Sequence, residues 1–456
     1  MTLAQELANK VVATRFEDLT AGALTGAKIG LLDTIAVGIA GADDEAARIA
    51  RRVALDGAGV ALVWGTTRRA RALDAAFANG IAANVLDYDD CTENLGGHPS
   101  APILPALVAL AEERRASGRD ALTAYVAGFE LETALGRAVN FHHYEKGWHP
   151  TATLGVFGAA AACARLLGLD AEQTTRAIAL CASLAAGVKS NLGSMGKPMH
   201  VGNCARSGLL AAELAREGFT GNADALEHRQ GFLEVFNGSG HYSVERLLEK
   251  WGAPWEIETP GIQVKQYPCC LSTQAAVDLM LDLVKSNAIT PEQVSAIEAR
   301  VPPLRLEHTD RPQPRSALDA KLSVQYVLAR AVTDRAVTLS HFDGESYLDR
   351  RTQEVMTRVT PIPFDETLRR ELGDSGAAIR LTLADGRRLE GTIRRPVGHD
   401  PGVPLAPALH KAKLDACVEG RLTPERRDDL YRAVMSFENV GDVRGFTQGF
   451  ETDGGA

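Results

Sequence analysis

Three short polar islands interrupt apolar, small-residue sequence, and each sets a histidine beside a helix-breaking residue. They read Asp87-Tyr88-Asp89-Asp90 running on to His98-Pro99, then Gly147-Trp148-His149-Pro150, then Gly196-Lys197-Pro198-Met199-His200. An imidazole can exchange a proton near neutral pH, and a lysine offers a compact positive charge to a carboxylate or phosphate. The third island lies in a stretch with a marked bias. Between Gln173 and Ala212 there is no Asp or Glu, whereas Arg176, Lys189, Lys197, His200 and Arg206 all fall there. In a chain of formal charge -9 this local excess of cations points to an anionic ligand. For Arg176 and Lys189 a solvated helix surface is an equal reading. Lys197, flanked by Gly196 and Pro198, reads as a loop residue aimed at the ligand.

Pro99 to Pro102 open a helical stretch, so His98 is expected near a helix N-terminus, where anions are favoured. Pro150 suits a first helical position, which puts His149 at the mouth of the following helix. Gly193-Ser194-Met195-Gly196 would let backbone amides approach a ligand closely. The three carboxylates of residues 87–90 match no ion-binding loop. Two of them are expected to cap helices or pair with cations, leaving one to orient a histidine or act as a base. Neither a phosphate-binding G-x-x-x-x-G-K-[ST] pattern nor a G-x-G-x-x-G after a strand occurs, so a nucleotide has little support. Cys269-Cys270 reads as a structural pair of thiols, with no basic partner nearby in sequence.

The elements that must position these groups are mostly helical. Residues 75–86, 106–115, 121–139, 151–167, 171–186 and 207–217 are rich in Ala and Leu with apolar positions three and four apart. Gly168 and Gly218 fall where helix C-caps are expected, and Asp170 with Gln173 forms a capping box. The texture changes after about Gly261. Residues 293–302 read as a strand, and 378–383 with 389–394 read as a hairpin around Asp385-Gly386. A helix over 320–336, a Pro/Gly-rich loop over 396–407 and a helix over 409–419 complete the pattern. The fold class is therefore mostly α, a large all-helical domain plus a smaller α+β domain.

Length and composition agree with a globular protein of more than one domain: 456 residues, 45% hydrophobic and 23% charged. Net acidity argues against nucleic acid as a partner. Seven cysteines without C-x-x-C spacing disfavour a disulfide scaffold or zinc ribbon and suit a reducing cytoplasm. The first residues do not form a secretory signal. The most apolar stretch, 29–40, is short for a bilayer span and contains Asp33, so no membrane association is expected.

Six ordered segments carry a resemblance. They are Leu86 to Asp90 with His98-Pro99, Gly147 to Thr151, Gly196 to Gly202, Lys265-Gln266-Tyr267-Pro268, and Ala320 to Tyr326. In order, they resemble the signature segments of the MmgE/PrpD family, whose members include 2-methylcitrate dehydratase, cis-aconitate decarboxylase and iminodisuccinate epimerase. The resemblance implies a helical domain over 1–262 with 400–456 and an α+β lid domain over 263–399. It further implies a homodimer, a small anionic carboxylate substrate, and neither metal nor iron–sulfur cofactor. Carried over from the decarboxylase branch, the site residues would be Asp87, His98, His149, Lys197 and Tyr326. Three departures leave the family's other chemistries open. Cys91 stands where that branch has threonine, the stretch before His98 is one residue longer, and Cys270 replaces a pocket histidine.

Reactions of this family share a proton step at a carbon next to a carboxylate, and the resulting carbanion needs positive charge beside it. On that reading Lys197 and His149 clamp the substrate, with His200 and Arg206 as further anion contacts. His98 or Tyr326 moves the proton and Asp87 sets a histidine tautomer. A 2-methylcitrate dehydratase-like lyase is the first expectation, with an iminodisuccinate-type epimerase or a cis-aconitate-type decarboxylase as alternatives. The reading from another class is a non-catalytic anion-binding protein, disfavoured because binding alone needs cations but not the histidines.

Overall fold

The computed structural model describes residues 1–54 and 57–452. Its contacts divide the chain into a larger unit, Met1–Val85 with Asp89–Val264 and Ala406–Ala456, and a smaller one, Leu86–Tyr88 with Lys265–Leu405. The return of the C-terminal segment to the larger unit has a clear anchor: Lys413 Nζ lies 2.6 Å from Asp33 Oδ1, both side chains almost fully buried.

The larger unit is a stack of helices whose small residues let backbones approach. Ala72–Val85 and Gly196–Arg216 are the most intimate pair, crossing at Gly80 and Gly202. A Cβ at Gly202 would lie 2.4 Å from the Phe77 carbonyl oxygen, and one at Gly80 would lie 2.9 Å from the Gly202 Cα. This crossing sets how the first turns of Gly196–Arg216 meet the end of Ala72–Val85, so it also positions the side chains discussed below. Gly202→Val should force the helices apart and lower stability by about 1–3 kcal/mol or more. Urea unfolding would measure this, and a variant within 0.5 kcal/mol or so of wild type would show that the crossing yields cheaply.

Helix Ala21–Gly41 runs further at both ends than the apolar core of its sequence suggests. It is long and apolar enough to cross a membrane by length and composition, but 72% of its apolar window is buried inside the protein. The Asp33–Lys413 pair lies along it. Ser100–Arg114 starts where Pro99 to Pro102 are expected to open a helix, with Pro102 in the first turn, where its missing N–H is harmless. Residues 151–167 are not one helix: Pro150–Thr153 gives way to Gly155–Leu166 at Leu154. The capping box of Asp170 and Gln173 forms, and Gly168 and Gly218 take the left-handed conformation expected of C-caps. Helices Pro424–Met435 and Val443–Gln448 have few buried apolar positions, which is why periodicity alone does not reveal them.

The smaller unit packs helices Gln274–Ser286 and Val324–Thr333 on a four-stranded sheet. The strand order is Val359–Pro363, Val294–Val301, Ala377–Leu383, Arg388–Ile393. The expected hairpin forms antiparallel, with Gly386 at φ 88° in its turn. Val359–Pro363 is parallel to its neighbour and was not evident in sequence because Pro361 and Pro363 interrupt it. It lies at the sheet edge, where proline's lack of an N–H costs least. Ile297, Ile379, Leu381, Val327 and Met280 belong to the buried core between helices and sheet. The expected helix over 320–336 begins instead at Val324, where the Ser323 hydroxyl accepts from the Tyr326 N–H and starts a new helix after Ala317–Ala320.

Candidate active site

In the larger unit the first island from Asp89 onward meets the other two at helix starts. His98 precedes Ser100–Arg114, its own N–H donating to Thr151 Oγ1 at 3.1 Å. The first island therefore touches the segment that follows His149. Lys197 is not in a loop as its flanking residues suggest. Gly196–Arg216 starts at Gly196, so Lys197 and Pro198 occupy its first turn and His200 follows one turn further. Proline in a first turn leaves the hydrogen-bond ladder intact and presets the helical φ.

His98 is 7% exposed and has partners on both ring nitrogens. Its Nδ1 lies 3.1 Å from Asp89 Oδ2 and 3.1 Å from the Asp90 carbonyl oxygen, both acceptors. Nδ1 must therefore carry the proton. Nε2 faces Lys197 Nζ at 3.5 Å, and an ammonium can only donate to it. The partners thus select a neutral Nδ1–H imidazole whose Nε2 lone pair sits beside a cation. Asp89 is fully buried and is itself held by Asn84, whose Nδ2 donates to the same Oδ2 at 2.8 Å. Cys91 Sγ lies 3.7 Å from His98 Nδ1.

Asp87 and Asp89 are held by different partners, although one carboxylate oxygen of each lies within 4.8 Å of a His98 ring nitrogen. The carboxylate engaging His98 within the larger unit is Asp89. Asp87 takes a left-handed φ of 52° that turns the chain, and it groups with the smaller unit. There the fully buried Lys265 donates from Nζ to Asp87 Oδ1 at 2.6 Å and to its carbonyl oxygen at 2.7 Å. In a row of carboxylates one residue apart, only the backbone turn decides which one points where, and the residue types carry no sign of it.

Behind Asp89 and Asp90 the acids continue inward. Ser100 donates to Asp90 Oδ2 and shares a hydrogen bond with the Tyr125 hydroxyl. Burial pushes the Asp90 carboxyl up to about 8, with the charges of Asp33 and Asp89 adding to the rise. Burial raises Asp33 as well, opposed by Lys413. Glu132, fully buried without a hydrogen-bond partner among the described residues, is held neutral by burial well above the usual carboxylate range. Unfolded, it would ionise above about pH 4.5. Each pH unit beyond that should therefore cost the folded state up to about 1.4 kcal/mol until its folded pKa is passed. Glu132→Gln removes this penalty, so its stability relative to wild type should grow from pH 5 to pH 8. Parallel urea-unfolding profiles across that range would show that Glu132 ionises equally in both states.

His149 and His200 form the second histidine group. They are 4% and 7% exposed, with their Nδ1 atoms 3.3 Å apart. The remaining basic residues of the acid-free stretch have other roles. Arg206 is exposed on helix Gly196–Arg216. Arg176 pairs with Glu172 along its own helix. Lys189 donates to the Tyr144 carbonyl at 3.0 Å and lies over that tyrosine's ring.

Tyr326 belongs to the core of the smaller unit. It is fully buried, its hydroxyl donates to the His341 carbonyl, and it accepts from Arg330 Nε at 3.0 Å. Within the smaller unit these two partners fix where the Tyr326 hydroxyl points. The same unit holds Cys270 with its Sγ 3.7 Å from His308 Nε2, and Ser272 Oγ is 3.0 Å from the same nitrogen. His308 was missed in sequence because it lies 38 residues from Cys270 with no motif around it.

Fold and geometry together define a mostly helical protein with a lysine and histidines gathered at helix starts, suited to holding an anion and exchanging a proton. The MmgE/PrpD N-terminal domain model matches residues 5–245 and the MmgE/PrpD C-terminal domain model matches residues 267–438. The chain belongs to the MmgE/PrpD family. Among its relatives, human cis-aconitate decarboxylase is 30% identical over 97% of this chain and 93% of its own length. The mouse cis-aconitate decarboxylase is 29% identical over 98% and 93%. That of Aspergillus terreus is 26% identical over 94% and 91%.

Proposed function

We propose that this protein is a lyase of small polycarboxylates that works by charge stabilisation and proton transfer, with a tricarboxylate of the cis-aconitate type as its first candidate substrate. The observation that carries this reading is His98, set between the Asp89 carboxylate at 3.1 Å and the Lys197 ammonium at 3.5 Å. Near-full-length similarity to cis-aconitate decarboxylases supports the substrate class.

Lys197 would pair with a substrate carboxylate and offset the charge that develops on it. In a decarboxylation the bond to the departing carboxylate breaks and its electron pair delocalises toward a retained carboxylate. A histidine that has taken up a proton from solvent then gives it to carbon. In a dehydration the order changes: Nε2 of a neutral histidine removes the proton next to the carboxylate, and hydroxide leaves with a proton as water. Both need a cation at the carboxylate and an imidazole at the carbon. Neither calls for an electron carrier.

A second reading, dehydration or epimerisation in place of decarboxylation, is favoured by one feature. Cys91 stands 3.7 Å from His98 Nδ1, at the position where the decarboxylase branch is expected to carry threonine. Proton NMR of the purified protein with cis-aconitate, 2-methylcitrate, citrate and iminodisuccinate separates these outcomes. Loss of CO2 from cis-aconitate supports the first reading, and water loss or epimerisation without decarboxylation supports the second. No change in any of the four would leave the anion-binding alternative standing.

A further inference from the structure

We propose that Arg51, Arg421, Arg68 and Arg48 form a binding site for the phosphate group of a soluble small molecule. The site lies in the larger unit and shares no residue with the histidine site.

The anchor is Arg51, on helix Glu45–Ala54. It is only 8% exposed, and an arginine so deeply placed is ordinarily paired with a carboxylate. Here its Nη1 donates to the Ala42 carbonyl, just past the end of Ala21–Gly41, and its other nitrogens have no partner among the described residues. A carbonyl at a helix end suits a cation, but it uses one of five N–H donors. The adjoining carboxylates are engaged elsewhere. Asp43 Oδ2 lies 2.5 Å from Arg421 Nη2, and Asp44 Oδ1 accepts from the Ala46 N–H at 2.9 Å, capping its own helix.

Three elements bring the cations together. Arg48 lies one turn before Arg51 on the same helix, and so on the same face. Arg421 reaches the 42–44 loop through Asp43. Gly65 brings in the turn that carries Arg68. It takes a φ of 72°, and a Cβ there would lie 2.4 Å from Ala42 Cβ and 3.4 Å from Arg421 Nη1, so the turn packs against the residue that holds Arg51. The turn is closed by Val63 N–H donating to the Arg68 carbonyl at 2.9 Å and by Arg68 N–H donating to Thr66 Oγ1 at 3.0 Å. Burial and the charges of Arg68, Arg421 and Arg48 lower the Arg51 pKa from its ordinary value, opposed by Asp43. The Arg48 and Arg68 side chains make no hydrogen bond or ion pair among the described residues.

Four guanidiniums around one carboxylate repel one another, and a bound dianion relieves that repulsion. A carboxylate satisfies a single guanidinium fork. A phosphate carries more charge near neutral pH and offers three acceptor oxygens in different directions, which suits several forks at once. Arg48 and Arg68 are exposed, so the site opens to solvent, and the acidity of the chain as a whole favours a small ligand over a nucleic acid.

Calorimetric titration of the full-length protein with inorganic phosphate, glycerol phosphate and pyrophosphate tests this, at about 20 mM ionic strength where screening is weak. Saturable binding is expected, weakened about tenfold or more by Arg421→Gln and by Arg68→Ala. Arg51→Gln should abolish it, and Arg68→Ala, at an exposed position, decides if the buried change unfolds the protein. Lys197→Met should bind phosphate as the wild type does. The order among the three ligands tells the free ion from a phosphoryl group carried on a larger molecule. No saturable binding of any of them up to about 10 mM would overturn the proposal. Binding lost in Lys197→Met and kept in the arginine variants would overturn it too, by placing the anion among the histidines.

Discussion

His98→Gln is expected to slow turnover by about 100-fold or more while leaving the affinity for a carboxylate ligand within a few-fold. Glutamine keeps the approximate size and can still meet Asp89 and Lys197 through its amide, but it cannot take up and release a proton near neutral pH. The structure supports this split because the partners of His98 fix its tautomer. Asp89 and the Asp90 carbonyl hold Nδ1–H, and Lys197 lies at Nε2. Were His98 only a cap for Ser100–Arg114, the same change would cost about 1 kcal/mol of stability and leave turnover nearly intact. Steady-state kinetics and ligand titration on one variant separate the cases. Turnover preserved at the wild-type rate would transfer the proton step to His149.

Lys197→Met is expected to cost about 2–4 kcal/mol in kcat/KM, roughly 30- to 1000-fold, with the fold intact. The loss should fall on kcat as well as KM, because the ammonium is worth most when negative charge moves onto the carboxylate it holds. Lys197 is half-buried in the first turn of Gly196–Arg216, where methionine is a good helix residue of similar length. Thermal unfolding should accordingly change little. A variant within threefold of wild type would reduce Lys197 to a surface lysine.

Much of this architecture was legible in the residues. The helical body, the change of texture near 261, the Asp385-Gly386 hairpin and the Asp170–Gln173 capping box all follow from local patterns whose physics is local. Family membership followed from six ordered segments and is now shown by matches over both halves of the chain. The site was legible as a set of residue types but not as a set of partners. Asp87, Asp89 and Asp90 are equivalent in sequence, and a single left-handed residue sends the first to Lys265 and leaves the second with His98. The Gly and Pro that flank Lys197 signal a loop, although both are tolerated in a first helical turn. Tyr326 drew attention through its segment, and only the fold shows its hydroxyl bound to His341 and Arg330. His308 gave no signal, since its neighbours Cys270 and Ser272 come from a distant part of the chain.

The central claim, proton exchange at carbon beside a lysine-held carboxylate, is tested most directly by solvent deuterium. Incubated with cis-aconitate in deuterated water, the protein is predicted to release a product that carries one solvent deuterium at the carbon protonated after CO2 leaves. Should water loss or epimerisation be the reaction, deuterium should instead exchange at the carbon next to the carboxylate of the corresponding substrate. A product formed without any solvent deuterium, or an inert response to every small polycarboxylate in the panel, would contradict the account.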